Sequence, residues 1–329
     1  MSALWTLPAS TAWGGGALMR TTPRGWTLSS LLIALALASL LIVLFAKTLV
    51  FVLQTTRQTE QLAQLHQSGQ LVFNLFQREL RNGNFWAASV LSPQNLANLQ
   101  VQADCRSVDD SGSFASNDQP YQLLRIGVVG DVATPDCLTN ANQHSDYLQI
   151  KRLAGVKTGR AGMRANRVYL QQSAQFSNFV TLNSANLPEA AELWPYLHHL
   201  FYVSTQYHQG KALPVLMRKR LIRQQDGQLV MDTDALIDGV EMLVFESGKD
   251  INNDGVVDQF SNLVPAPVAG IAPPSANIVQ IRFHVLLRSV EPDPSYTNRQ
   301  QYQLGARRFT APGDHFRRLQ VSSSVTFIN

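Results

Sequence analysis

The stretch from Trp26 to Gly83, WTLSSLLIALALASLLIVLFAKTLVFVLQTTRQTEQLAQLHQSGQLVFNLFQRELRNG, decides how this chain is built. From Trp26 to Ala46 it carries no charge, and beyond Lys47 the apolar character continues through Leu49, Val50, Phe51, Val52 and Leu53. A helix rising about 1.5 Å per residue over this length crosses a bilayer. Arg20 and Arg24 precede the run, so the N-terminal arm is expected in the cytoplasm and everything after Leu53 outside it. A removable signal peptide is the bland alternative, because Ala36-Leu37-Ala38 resembles a small-residue cleavage site. Cleavage there would leave Leu40 to Phe45 and Leu49 to Leu53 as a greasy new N-terminus.

From Gln54 to Arg81 the sequence turns polar but stays periodic. Leu62, Leu65, Val72, Phe76 and Leu80 fall close to one face at helical spacing, with Leu75 flanking them, and Gly83 marks the expected end. The spacing predicts an amphipathic helix continuous with the apolar one. Beyond Gly83 the period becomes two: Val279, Ile281, Phe283, Val285 and Leu287 alternate with Gln280, Arg282, His284 and Leu286. Near the end Leu319, Val321, Ser323, Val325 and Phe327 alternate with Gln320, Ser322, Ser324 and Thr326. These read as half-buried antiparallel strands. Shorter strands are expected at Gln122 to Val129, Tyr147 to Leu153, His199 to Tyr207, Val215 to Ile222 and Val240 to Glu246, with a proline-rich loop at Pro265 to Ser275. The expected fold class is α+β, one long helix followed by a head dominated by antiparallel sheet.

Composition agrees. The chain has 329 residues, of which 45% are hydrophobic and 15% charged, with a net charge of +4. That is too apolar for general disorder, and the low charge is what a membrane segment would produce. So mild a basic excess does not demand nucleic acid as a partner.

The border of the apolar run, Arg24-Gly25-Trp26-Thr27-Leu28, resembles the processing site of type IV prepilins, where a basic leader ends in Gly and a peptidase cuts before an aromatic residue. Cleavage would fall between Gly25 and Trp26. The 25-residue leader is long, which makes Met19 a candidate start, and the fifth mature residue is Ser30 where the family usually has Glu. That Glu is understood to pair with the terminal amine of the neighbouring subunit, so its absence leans toward a tip position. Further on, HQSGQLVFNLFQRELRNGNFW, SDYLQIKRL, HLFYVST, VLMRKRL, LIDGVEMLVFESGKDINNDGVVDQF, IVQIRFHVLLRS and DHFRRLQVSSSVTFIN follow one another in the order of PilW-type minor pilins. These are relatives of the J-type pseudopilin of type II secretion.

The resemblance implies a pilin-like fold with a leader at 1–25, a transmembrane or filament-core helix at 26–53, its amphipathic half at 54–83 and a β-rich head, periplasmic or extracellular, at 84–329. It implies a non-enzymatic minor pilin in a priming or tip complex of a type IV pilus, supporting pilus-dependent motility, adhesion or DNA uptake. Its partners would be the prepilin peptidase, other minor pilins and the major pilin, the inner-membrane assembly platform, a tip adhesin and, before assembly, the lipid bilayer. The implied location is the inner membrane, single-pass with the head in the periplasm, and then the pilus at or near its tip. The alternatives are a type II secretion pseudopilin and, from another class, a membrane-anchored periplasmic enzyme or binding protein.

Local chemistry adds two expectations. Asp250-Ile251-Asn252-Asn253-Asp254-Gly255-Val256-Val257-Asp258 places side-chain oxygens at loop positions 1, 3, 5 and 9, Gly at 6 and the Val256 carbonyl at 7, the order of a calcium loop. Ser261 stands where an EF-hand has its bidentate Glu, so calcium would bind weakly here. A metal-free turn is the bland reading, since Asp, Asn and Gly favour turns by themselves. Cys105 and Cys137 have no CxxC spacing, and outside the cytoplasm a bridge between them is expected. There is no GxSxG, HExxH, P-loop or dinucleotide motif. His198 and His199 are strand neighbours facing opposite sides, hence structural. Arg307-Arg308 and Arg317-Arg318 read as solvated surface.

Overall fold

The computed structural model describes residues 27–83, 93–116, 118–173, 176–184, 192–208, 210–262 and 278–326. It divides into two units, Met1–Thr56 and Arg57–Asn329. One helix, α1, spans Leu28–Arg81.

In the first unit Thr27 caps α1: its Oγ1 accepts the Ser30 amide at 3.4 Å, and Ser30 Oγ donates back to the Thr27 carbonyl at 2.8 Å. Further along, Thr48, Thr55 and Thr56 each donate to the carbonyl four residues back, at 2.9 Å. A hydroxyl satisfied by its own helix needs no water, which suits a segment whose surface is otherwise leucine, isoleucine, valine and phenylalanine.

The second unit holds the rest of α1 and fifteen described strands: β1 (Pro93–Gln94), β2 (Val101–Gln102), β3 (Leu124–Val128), β4 (Asp146–Leu153), β5 (Val168–Gln172), β6 (Ser177–Val180), β7 (Glu192–His208), β8 (Lys211–Arg223), β9 (Leu229–Asp238), β10 (Val240–Lys249), β11 (Gln259–Ser261), β12 (Ile278–Arg288), β13 (Gln301–Leu304), β14 (Arg307–Thr310) and β15 (Arg318–Thr326). Nine form one sheet in the order β1-β6-β5-β7-β8-β9-β2, with β4 joined to β7 and β3 to β4. Its pairings are antiparallel except two-residue parallel contacts of β1 with β6 and β2 with β9. A second sheet runs β11-β10-β12-β15, and β13 and β14 form a separate hairpin.

The main core lies where α1 meets both sheets. Leu65, Val72, Phe76 and Leu80 of the helix pack with Ile126, Leu148, Phe201 and Leu216 of the first sheet and with Leu243, Phe245, Phe283 and Val285 of the second. The Phe76 ring stands 5.7, 5.3 and 5.5 Å from those of Phe201, Phe245 and Phe283. Gly69 brings the helix close to β15: a Cβ there would lie 3.1 Å from Val321 and 3.2 Å from Leu319.

Every strand expected from the sequence is present, but in two of them burial departs from simple alternation. Leu286, grouped with the polar set of its strand by alternation, is fully buried, because Leu304 of the β13–β14 hairpin covers it together with Val244. In β4 all eight residues are buried, Gln149, Lys151 and Arg152 included. The Lys151 ammonium donates to both oxygens of Asp110, at 2.7 and 2.8 Å, and Gln149 Nε2 donates to Asp110 Oδ2 at 2.8 Å. Removing either charge of such a pair would strand the other without water.

Candidate functional site

Two stretches of α1 present different surfaces. In the first unit the side chains from Leu28 to Leu53 stand in solvent: Leu32, Leu41, Phe45 and Phe51 are each more than half exposed. This is a helix long and apolar enough to cross a membrane, and its most apolar stretch has no buried residue. In the second unit Leu65, Gly69, Val72, Phe76, Glu79 and Leu80 are buried. The first stretch thus offers an unpartnered apolar surface, while the second anchors the head by ordinary core packing.

That seat ends on a charge. Glu79 has its side chain 3% exposed, and Arg152 Nη2 of β4 donates to its Oε2 at 3.2 Å while His199 Nδ1 of β7 lies 3.3 Å away. Burial would raise the Glu79 pKa, but the His199 hydrogen bond and the charges of His199 and Arg152 together outweigh it and bring the value down to about 2. This trio is invisible in the sequence, because Glu79 looks like one more polar residue of a periodic helix. Arg152 and His199 come from different strands, brought together by the β4–β7 register that sets His199 opposite Ile150 and Leu197 opposite Arg152.

The neighbouring His198 faces the other way. Its Nδ1 lies 2.8 Å from Ser113 Oγ, which donates to Asp104 Oδ1 at 2.6 Å. Serine, histidine and carboxylate do meet, but in an order that places the serine between the other two, so its proton is spent on Asp104. Ser113 and His198 are both fully buried, and burial holds the imidazole well below its usual pKa, hence neutral. This is a packed polar contact under the Asp104 loop.

Cys105 and Cys137 are joined in a disulfide, with Cα atoms 4.8 Å apart. The Asp250 to Asp258 segment is the turn of the β10–β11 hairpin, closed by the Asp258 amide donating to the Lys249 carbonyl at 2.8 Å. Its oxygens serve its own backbone: the Asn253, Asp254 and Gly255 amides donate to Asp250, Val256 to Asp254, and Ile251 and Asn252 to Asp258. Among the described residues no three His, Cys, Asp or Glu side chains are placed to share a metal ion. Gly25 and Trp26 lie outside the described residues, as do Phe327 and the Pro265 to Ser275 loop.

The arginine pairs differ from their solvated reading. The Arg318 side chain is buried, donating to Glu241 from Nε at 2.6 Å and to Asp314 from Nη2 at 2.7 Å. Arg317 donates to Asp293 at 2.8 Å, and Arg307 reaches buried Asp146 at 2.7 Å. Carboxylates distant in sequence claim three of the four guanidiniums, which adjacency in the sequence could not reveal.

A long N-terminal helix, apolar and exposed at first and then packed on antiparallel sheets, defines the class: an α+β protein whose form fits a membrane-anchored pilus component. Residues 200–329, from within β7 to the last residue of the chain, match the family model PilW, Type IV Pilus-assembly protein W. The match supports a PilW-type pilus protein, involved in type IV pilus assembly. No curated protein and no solved structure matches the chain.

Proposed function

We propose that this protein is a minor pilin, inserted in the inner membrane with its head in the periplasm and processed between Gly25 and Trp26. It then joins other minor pilins in the complex that primes a type IV pilus and comes to lie at or near its tip. The observation that carries this reading is the division of α1 into an exposed apolar stretch and a buried amphipathic one. A helix apolar on all sides can leave lipid only for the company of other apolar helices, so the exposed stretch is suited to bundling with the major pilin. A type II secretion pseudopilin would share this anatomy, and the family match favours the pilus.

N-terminal sequencing of the mature protein, with detection of N-methylation, is the test. The expected first residue is Trp26, and Gly25→Leu should accumulate as an unprocessed precursor. Maturation of that variant to Trp26, or native cleavage after Ala38, would remove the main support for the reading.

The calcium expectation is part of the same proposal. Its support is the ligand order together with the left-handed backbone of Asn253 and Gly255, φ 62° and 84°, which curls the loop around Asp250. Calcium would have to draw Asp254 and Asp258 away from the amides they now accept. Equal melting temperatures with calcium and with chelator would show the loop to be only a turn.

A further inference from the structure

We propose that the cavity of about 720 Å³ lined by Gln94, Leu96, Asn98, Gln100, Arg106 and Gln119 is a binding site for a neutral oligosaccharide. Its size falls within the roughly 300–1,000 Å³ of small-molecule sites. The chemistry of its wall decides the ligand class. Gln94, Asn98, Gln100 and Gln119 contribute carboxamides, a group that both donates and accepts hydrogen bonds, and Gln100 Nε2 donates to Asn98 Oδ1 at 3.0 Å. A hydroxyl does the same, so an array of carboxamides suits an array of hydroxyls better than it suits a phosphate or an acyl chain. The Gln94 and Gln119 side chains have no hydrogen-bond partner among the described residues.

Charge excludes an anion. Arg106 is the cation of the wall, and its Nε is 3.8 Å from Asp104, while Asp118 adds a second carboxylate. Pro120 and Leu96, the latter 68% exposed, offer apolar edges for the C–H faces of a sugar ring.

One side of the wall is braced by internal contacts. Asp104, with its side chain 7% exposed, accepts the Cys105 amide at 2.9 Å and the Ser113 amide and hydroxyl, and Cys105 is bridged to Cys137. In the same loop Asp110 is clamped by Lys151. Gly112, at φ 87°, lies against Asp104 where a Cβ would collide with the carboxylate. A site already ordered before binding spares the ligand that cost. The inference does not rest on the pilus reading, since these residues precede the matched part of the chain.

The test uses the full chain in a detergent without a sugar headgroup. Maltohexaose, cellohexaose and chitohexaose are titrated by calorimetry and by saturation-transfer NMR, beside a sulfated oligosaccharide of equal length. At least one neutral hexasaccharide should bind, and Gln94→Ala and Gln119→Ala should each weaken it about fivefold, the effect of one hydrogen bond. Both glutamines are exposed, so both variants should melt with the native protein. Binding of none of the three, tighter binding of the sulfated chain, or undiminished binding by the double variant would each overturn the proposal.

Discussion

Glu79 sits in the last turn of α1, the end at which a helix disfavours negative charge, and yet it is buried. It is tolerated because Arg152 supplies a positive charge, and His199 a ring nitrogen within hydrogen-bond distance, from adjoining strands. Removing one member of such a buried set leaves a charge uncompensated, so Glu79→Ala should cost about 3–5 kcal/mol in denaturant unfolding. Its pH signature has a definite sign. The folded pKa, about 2, lies below the ordinary glutamate value of 4.5, so the stabilisation is complete above pH 4.5 and is lost as pH falls toward 2. The loss amounts to roughly 3 kcal/mol, and Glu79→Gln should flatten stability over that window. An equally steep fall in the Gln variant would mean that other carboxylates dominate acid unfolding.

At the scale of elements, the packing of α1 on β15 depends on a missing side chain. A Cβ at Gly69 would press on Val321 and Leu319, and anything longer must displace one of them. Gly69→Leu should therefore lower stability by about 1–3 kcal/mol despite leucine's better helix propensity, readable as a fall in the denaturation midpoint at constant slope. The disulfide closes a separation of 32 residues, and Cys105→Ser with Cys137→Ser should cost about 2–4 kcal/mol. Unchanged melting of the double variant would show the loop to be held by Asp110–Lys151 and Asp104–Ser113 alone. Period-two alternation was legible in β12 and β15, where one face meets the core and the other meets polar surroundings. It failed at β4, whose lysine, arginine and glutamine are buried through pairing. It missed most of the first half of β7, where Pro195 interrupts the pattern although Glu192 to Tyr196 pair with β5.

For the whole molecule, the proposed function makes the apolar half of α1 the part that assembly uses. Leu40→Arg places a charge where the segment is most apolar, at a cost on the order of 3 kcal/mol near a bilayer centre. Membrane fractionation should show reduced insertion, and a piliation assay a loss of pili. Normal piliation by that variant would separate assembly from this helix.

The sequence alone determined the helix and its two characters, because hydrophobic periodicity is a local property that survives in one dimension. It also determined the antiparallel β-rich head, the two cysteines and the turn at Asp250. What it could not contain was which polar residues are buried. Glu79 with Arg152 and His199, Lys151 with Asp110, and Arg318 with Glu241 and Asp314 are long-range meetings made by strand register and helix seating. A charge belongs in a core only beside its counterpart, and only the tertiary structure decides who stands beside whom.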